Sequence, residues 1–315
     1  MKNTRVLTEG ALMAALFTLI LILSVFVPFI GLITLFLLPF PIIIYVLRHG
    51  IKPGLLLLTV VLSVSFFVGG LEGLPLAWFV GVGGLVVGEL YRRKKSGFAV
   101  LLGGSLAYIV NFLLLFIGSI ILLGINPIEV SQQIMRESVD TAEQLLISFG
   151  QESSEQLEQF ESMIELLGKM TAMLIIFTGV MYALISQLIA NVFLTRLGFQ
   201  SSKLPPIREW SFPKSFLWYY LIVSILMIMG MGNDSSALSL VLLNLFPLLE
   251  VIMAIQGFAV IFYWSYQKKV TIVVPIMAVV FGLILPIFLY IVRILGIIDL
   301  GFDLRKKLSN DKKQS

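Results

Sequence analysis

One carboxylate, three amides and a few small residues are the groups in this chain whose placement could matter chemically. Glu250 lies near the middle of an apolar run at 237–264, three residues after Pro247. A charge at that depth costs about 2.5–3.5 kcal/mol on insertion scales, so it is a functional candidate by default. It could titrate a proton or pair with a cation in a central cavity. It could equally be structural glue, with Arg293 as a partner. Pro247 lacks an N–H and loosens the helix nearby. Ala254 and Gly257 share the Glu250 face, so a neighbouring helix can approach it closely. Asn111, and Gln187 with Asn191 one helical turn apart, could hold a polar ligand. Against that, interhelical hydrogen bonds in bilayers average only ~0.6 kcal/mol, and such amides are often packing contacts.

The other polar groups read more simply. Glu9 and Glu89 stand near run ends, within reach of Arg5 and of Arg92 and Arg93, and Glu72 falls in a turn. His49, the single histidine, sits in Arg48-His49-Gly50-Ile51-Lys52 and reads as a basic anchor at a membrane edge. With no cysteine, disulfide and thiolate chemistry are excluded. Gly81-Val82-Gly83-Gly84 and Gly88 lie inside an apolar run rather than after a strand, so they are no dinucleotide loop. Gly84-x-x-x-Gly88 is instead a helix-packing face. There is no His–Glu zinc motif, serine elbow or phosphate loop. The expectation is a protein that is not an enzyme, with no catalytic residues, no metal site and no cofactor.

The elements that must position these groups are membrane helices. The chain is 58% hydrophobic and 13% charged, its mean hydropathy is +1.02, and an ordinary soluble domain carries about 25% charged residues. Only helices or closed barrels satisfy the backbone in lipid, and barrel strands alternate apolar and polar residues. Runs such as 6–27 and 241–264 do not alternate, so the fold class is all-α, a polytopic membrane helix bundle. Spans are expected at 6–28, 31–47, 54–69, 74–90, 98–123, 169–194, 216–231 and 237–264, separated by turn residues. Those include Pro28 and Gly31, Gly50 and Pro53, Gly69, Gly70 and Gly73, and Gly232-Asn233-Asp234. Pro39 and Pro41 could break the second span around a cavity or merely kink it. The first apolar stretch, about 22 residues, exceeds a signal-peptide core and reads as a retained span.

Basic residues set the orientation. Segments 1–5, 48–52, 91–96, 195–215 and 265–269 hold nearly all the Lys and Arg outside the last stretch and tail. Positive-inside bias puts them, and the N-terminus, on the cytoplasmic side of a cell membrane. The final stretch, 270–298, has two readings. One tilted ninth span is preferred and would leave Arg305, Lys306, Lys307, Lys312 and Lys313 outside. A hairpin at Pro286 would keep them inside, with arms of ~20 Å, too short to cross a ~30 Å core. The count is therefore eight to nine spans.

Residues 124–168 form the long polar gap, expected on the outside. Asn126-Pro127-Ile128-Glu129 reads as a capped helix start, Gly150 as its stop and Ser153-Ser154-Glu155-Gln156 as a second start. Leu157, Phe160, Ile164 and Leu167 share one face, so an extracytoplasmic amphipathic helical hairpin is expected. Its acidity fits either a lid that collects cations or a plain solvated surface. The organisation is then 1–195, a six-span bundle; 196–215, a cytoplasmic linker; 216–298, additional spans; and 299–315, a polar tail.

The start Thr8-Glu9-Gly10-Ala11-Leu12-Met13-Ala14-Ala15-Leu16, with Arg92-Arg93-Lys94-Lys95, the acidic hairpin and the span order, resembles the YybS-type family of multi-spanning bacterial membrane proteins. That resemblance implies an architecture and no activity. The first six spans are also similar to the S subunits of energy-coupling-factor vitamin importers. Those carry an Ala-x-x-x-Ala pattern in the first span where a coupling subunit docks, and Ala11 and Ala15 match it. The spans after 195 depart from that plan, and the morphogenesis protein MreD resembles the six-span plan too. The function expected is a solute-binding or transport subunit. The alternative is a membrane scaffold or envelope-morphogenesis partner. Candidate site residues are Glu250, Asn111, Gln187 and Asn191, with Ala11, Ala15, Gly84 and Gly88 as helix-docking positions. Expected partners are the lipid bilayer, membrane coupling or scaffold proteins and a small solute, and no nucleic acid, since the basic clusters suit anionic lipid.

Overall fold

The computed structural model describes residues 2–148, 154–200, 202–232 and 236–310, and the described residues contain helices and no strands. In chain order the helices are α1 (Lys2–Phe26), α2 (Ile30–Leu35), α3 (Pro39–His49), α4 (Ile51–Arg92), α5 (Gly97–Leu123), α6 (Pro127–Ser148) and α7 (Ser154–Lys169). They continue with α8 (Thr171–Arg196), α9 (Ser215–Ile228), α10 (Ala237–Gln267), α11 (Val273–Ile284), α12 (Pro286–Phe302) and α13 (Leu304–Asn310). Gly150, Ser153, Asn233, Asp234, Asp311, Lys312 and Lys313 lie outside the described residues.

Among the described residues six helices are long and apolar enough to cross a membrane, or seven if the bent pair α11–α12 counts as one. The expected count of eight to nine is not confirmed by that measure. One reason is α9, which has only 14 residues. Another is α4, a single 42-residue element where two spans were expected. It is reversed at Gly70, whose φ of 61° and ψ of −150° no helix contains. A Cβ on Gly73 would lie 2.5 Å from the Ser65 carbonyl oxygen, although eight residues of unbroken helix span ~12 Å. Farther from the turn Gly81 meets Leu58 and Gly54 meets Leu85, so the two arms run antiparallel. Glycine suits the reversal because it alone takes such a conformation at no steric cost.

The chain divides into two compact units. The first comprises Met1–Gln144 and Leu174–Leu204. Its core is apolar and aromatic: Phe17, Leu21, Ile42 and Tyr108 are fully buried, and the rings of Phe79, Tyr108 and Tyr182 meet tilted or edge-on with centroids 5.0–5.1 Å apart. Gly84 and Gly88 lie against α3, where added Cβ atoms would meet the Pro39 carbonyl at 3.1 Å and that of Ile43 at 2.9 Å. They are thus an internal packing face. At the start of α6 the Ile128 amide donates to Asn126 Oδ1 at 3.1 Å and Asn126 donates to Glu129 at 2.9 Å, the expected cap.

The second unit comprises Leu145–Met173 and Pro205–Ser315. In α7 Ile164 is buried while Phe160 is 52% exposed. Asn244 of α10 ties down the α7–α8 junction, accepting from the Met173 amide and donating to the Lys169 carbonyl, both at 2.8 Å. The unit's organising contact is α10 on α12. Gly257 rests on the Val292 carbonyl and Gly296 on that of Met253, leaving no room for a side chain on either glycine. Glu250 meets Arg293, and Gln256 meets Asp299 at the same interval of 43 residues. The polar partners rise together, 250 with 293 and 256 with 299, and Arg305 bonds the carbonyl of Arg208, which stacks on Tyr266 at the end of α10, so the two helices run parallel.

A single tilted span over 270–298 therefore does not form. Leu285 is extended (φ −110°, ψ 108°), Pro286 has no N–H to continue the α11 ladder, and the axes of α11 and α12 differ by 119°. Helix α11 leaves the end of α10, the chain reverses, and α12 returns alongside α10. Its end reaches the 205–214 segment: Arg305 donates to the Trp210 carbonyl at 2.7 Å and Lys214 pairs with Asp303 at 2.7 Å. This corrects the preferred reading of one tilted span, since residues 303–305 lie beside the 205–214 segment. The alternative, a hairpin at Pro286, describes what is seen.

Candidate functional site

The unit formed by α7, α9–α13 and residues 205–214 carries polar chemistry at two levels. Deep in the helices, Glu250 of α10 and Arg293 of α12 form an ion pair. Both sequences place these residues in long apolar runs, and the parallel packing through Gly257 and Gly296 brings the backbones close enough for the pair to meet. The side chains keep 29% and 18% of their surface accessible. Tyr290 flanks the guanidinium at 5.6 Å from its ring centre. The Arg293 Nε is buried with no hydrogen-bond partner, an open donor beside an accessible carboxylate.

About two turns toward the C-terminal end of α10 lies a second network. The Asp299 carboxylate is almost wholly buried. It accepts from Gln256 at 2.6 Å, from Arg305 Nε at 2.8 Å and from the Arg305 backbone amide at 3.1 Å. Arg305 reaches on to the carbonyls of Arg208 at 3.2 Å and Trp210 at 2.7 Å. Gln256 Oε1 accepts from the Phe212 amide at 3.1 Å. One buried carboxylate thus binds α10, α12, the start of α13 and the 205–214 segment together. Above it opens a cavity of about 570 Å³ whose walls include Arg208, Lys214, Tyr263, Tyr266 and Lys306. The Lys214 ammonium, hydrogen-bonded to Asp303, holds that carboxyl below its ordinary range.

The amides singled out in sequence are elsewhere, in the unit of α1–α5 and α8. Asn111 is buried and donates to the carbonyls of Trp78 and Phe79 at 3.3 and 3.1 Å. Gln187 donates to the Gly97 carbonyl at 2.9 Å and to that of Ser202 at 3.2 Å. Asn191 accepts from the Tyr91 hydroxyl at 2.8 Å. Each has a protein partner, while the Gln187 Oε1 is buried with none. His49 has a specific role that its isolation hid: its Nε2 lies 2.8 Å from Glu9, which Arg5 and Arg48 also contact. Glu89 is gripped by Arg92 and Arg93, both at 2.7 Å. Ala11 and Ala15 are exposed on α1.

Sequence reasoning missed Gln256, Asp299 and Arg305 as a set. The visible signal was an amide in the apolar second half of α10. Among the described residues no group of three or more His, Asp or Glu side chains is arranged to hold a metal ion.

Known proteins place the chain firmly. The family model described as "Predicted membrane protein (DUF2232)" matches residues 15–300. The "Uncharacterized protein YybS" of Bacillus subtilis (strain 168) is 35% identical over 310 residues, covering 98% of this chain and 100% of that protein. No solved structure matches. Neither match extends to importer S subunits. Two-way coverage at this identity, on a bundle of long apolar helices, leaves one assignment: the chain belongs to the DUF2232 family of membrane proteins.

Proposed function

We propose that this protein is a solute-binding or solute-translocating subunit of a bacterial cell membrane, with its N-terminus in the cytoplasm, and that the solute engages the Glu250–Arg293 pair. The observation that carries the reading is that pair itself: two opposite charges in apolar helices, partly accessible, with the Arg293 Nε unpartnered. Charges at membrane depth mark substrate and ion paths more often than they serve stability. The break at Leu285–Pro286 lies two turns before Arg293, and broken helices recur where transporters build polar sites. On this reading α4 crosses the bilayer twice, with the turn at Gly70. Basic residues on the 205–214 segment support the orientation.

The test is mass spectrometry of small molecules retained by the detergent-purified protein. A solute that accompanies the wild type and is lost from Glu250→Gln and Arg293→Gln, at unchanged helicity, is the expected result. No retained solute, or equal retention by both variants, would contradict the reading.

A scaffold role has one observation in its favour: Ala11 and Ala15 lie exposed on α1, and small residues one turn apart admit another helix. It predicts that Ala11→Leu with Ala15→Leu disturbs a protein partnership and leaves solute retention untouched.

A further inference from the structure

We infer that the cavity at the 205–214 end of α10 is a binding site for a phosphate ester, of which an anionic phospholipid headgroup is the source the surroundings favour. The inference is independent of the solute reading, since it concerns different residues.

The cavity measures about 570 Å³, within the range of roughly 300–1,000 Å³ typical of small-ligand sites. Arg208, Lys214 and Lys306 line it together with Ser211, Tyr263 and Tyr266. The Arg208 guanidinium lies 3.9 Å over the Tyr266 ring. Stacking of that kind fixes the plane of the fork and leaves its N–H edge for an oxyanion, which a guanidinium matches geometrically. Hydroxyls on Ser211, Tyr263 and Tyr266 add donors of the sort that phosphate oxygens accept.

The carboxylates in the walls argue against a cationic ligand. Asp299 is buried and its oxygens are taken by Gln256 and Arg305. Asp303 is held by Lys214 at 2.7 Å and Lys306 at 3.5 Å. Glu209 is more than half exposed and lies 3.8 Å from Arg208. Among the residues that line the cavity, Arg208, Lys214, Arg305 and Lys306 stand against Glu209, Asp299 and Asp303. An anion entering the cavity therefore meets one more cationic than anionic group in its walls and shares Lys214 and Lys306 with Asp303.

Position favours lipid over a soluble ester. Helix α10 has 31 residues, about 46 Å, against a ~30 Å hydrocarbon core. Its last turns, with Tyr263, Trp264 and Tyr266, have the aromatic character of the headgroup layer. Basic pockets between helices at this level bind anionic headgroups.

The experiment is native mass spectrometry of the full chain released from vesicles of phosphatidylglycerol and phosphatidylcholine mixed equally, with glycerol 3-phosphate added in a separate arm. Variants are the pair Arg208→Gln/Lys306→Gln and, for equal charge loss outside the cavity, the pair Lys268→Gln/Lys269→Gln. The expected result is preferential retention of phosphatidylglycerol by wild type and by the Lys268/Lys269 variant. The cavity variant should retain it at least tenfold less, with circular dichroism and elution unchanged. Retention of glycerol 3-phosphate alone, lost in the same variant, would support the site and assign it to a soluble ester. Equal retention by both variants, or no preference over phosphatidylcholine in the absence of ester binding, would overturn it. If the cavity variant loses its helicity, Arg208→Lys serves instead, with reduced retention supporting the site and wild-type retention overturning it.

Discussion

In α1–α5 and α8 of the first unit, charged side chains stay at the Gly70 reversal and at helix ends. Glu9 meets Arg5, Arg48 and His49 there, and Glu89 meets Arg92 and Arg93. The interior of that unit is rings and small residues, with Gly84 and Gly88 letting α3 lie close. In the unit of α7 and α9–α13 the charges run into the helices. Glu250 pairs with Arg293 in mid-run, and Asp299 is buried beneath Arg305. One unit is stabilised by packing and tolerates polar groups where they bond to backbone. The other also carries ionic groups within its helices, a partly accessible pair and a buried carboxylate beneath a charged cavity. That contrast is why the functional proposals concern the second unit.

Mutations should separate the two, and the largest difference should come from the buried charge. Asp299→Ala strands the Arg305 guanidinium and should cost about 3–5 kcal/mol in denaturant unfolding. Glu9→Ala, at a partly exposed set of pairs near a helix end, should cost about 1 kcal/mol. Equal costs would erase the distinction. Next come the glycines. Gly257→Ala drives a methyl group into the Val292 carbonyl, a backbone atom, and should cost about 3 kcal/mol, the upper end for overpacking. Gly81→Ala meets only the tip of Leu58. The Leu58 side chain can rotate away, and the ~1 kcal/mol gain in helix propensity offsets much of the strain. Similar melting temperatures for these two variants would count against the helix contact described between α10 and α12.

Smaller effects sharpen the picture. Asp303 has its carboxyl held below the ordinary value of 3.8 by Lys214. A carboxyl depressed in the folded state stabilises above its unfolded pKa, and that contribution disappears as pH falls through the folded one. The melting-temperature difference between wild type and Lys214→Gln should be constant above about pH 5 and shrink below 3.8. A difference that grows on acidification would contradict the Lys214–Asp303 link. The smallest change belongs to Asn111→Ala, about 0.6 kcal/mol, because its two carbonyl partners already belong to a helix ladder.

Most helices were legible because their evidence is local. Apolar runs, Gly50 and the Asn126 cap sit within a turn of the boundaries they mark. The reversal at Gly70 was legible for the same reason. What the chain did not disclose depends on which helix lies beside which. Glu250 and Arg293 were readable as candidates, and their meeting was foreseen as one alternative. The parallel course of α12 was not, since nothing in 270–298 states whether Pro286 kinks one span or reverses it. Asp299 and Asp303 fall in what the sequence marks as a polar tail, and their meaning depends on Gln256 and Lys214, which are remote in sequence. The ligand role expected for Gln187 and Asn191 rested on their spacing alone, and a shared helix face cannot distinguish a solute from a neighbouring carbonyl.

The return of α12 alongside α10 underlies the ion pair, the buried carboxylate and the cavity alike, and the absence of native cysteine makes it directly measurable. Single cysteines at Ser236, Lys268 and Ser309 in otherwise unchanged protein would be challenged with a membrane-impermeant maleimide in oriented vesicles. The parallel arrangement predicts that Lys268→Cys and Ser309→Cys label from one side and Ser236→Cys from the other. Labelling of Ser309→Cys together with Ser236→Cys would contradict it.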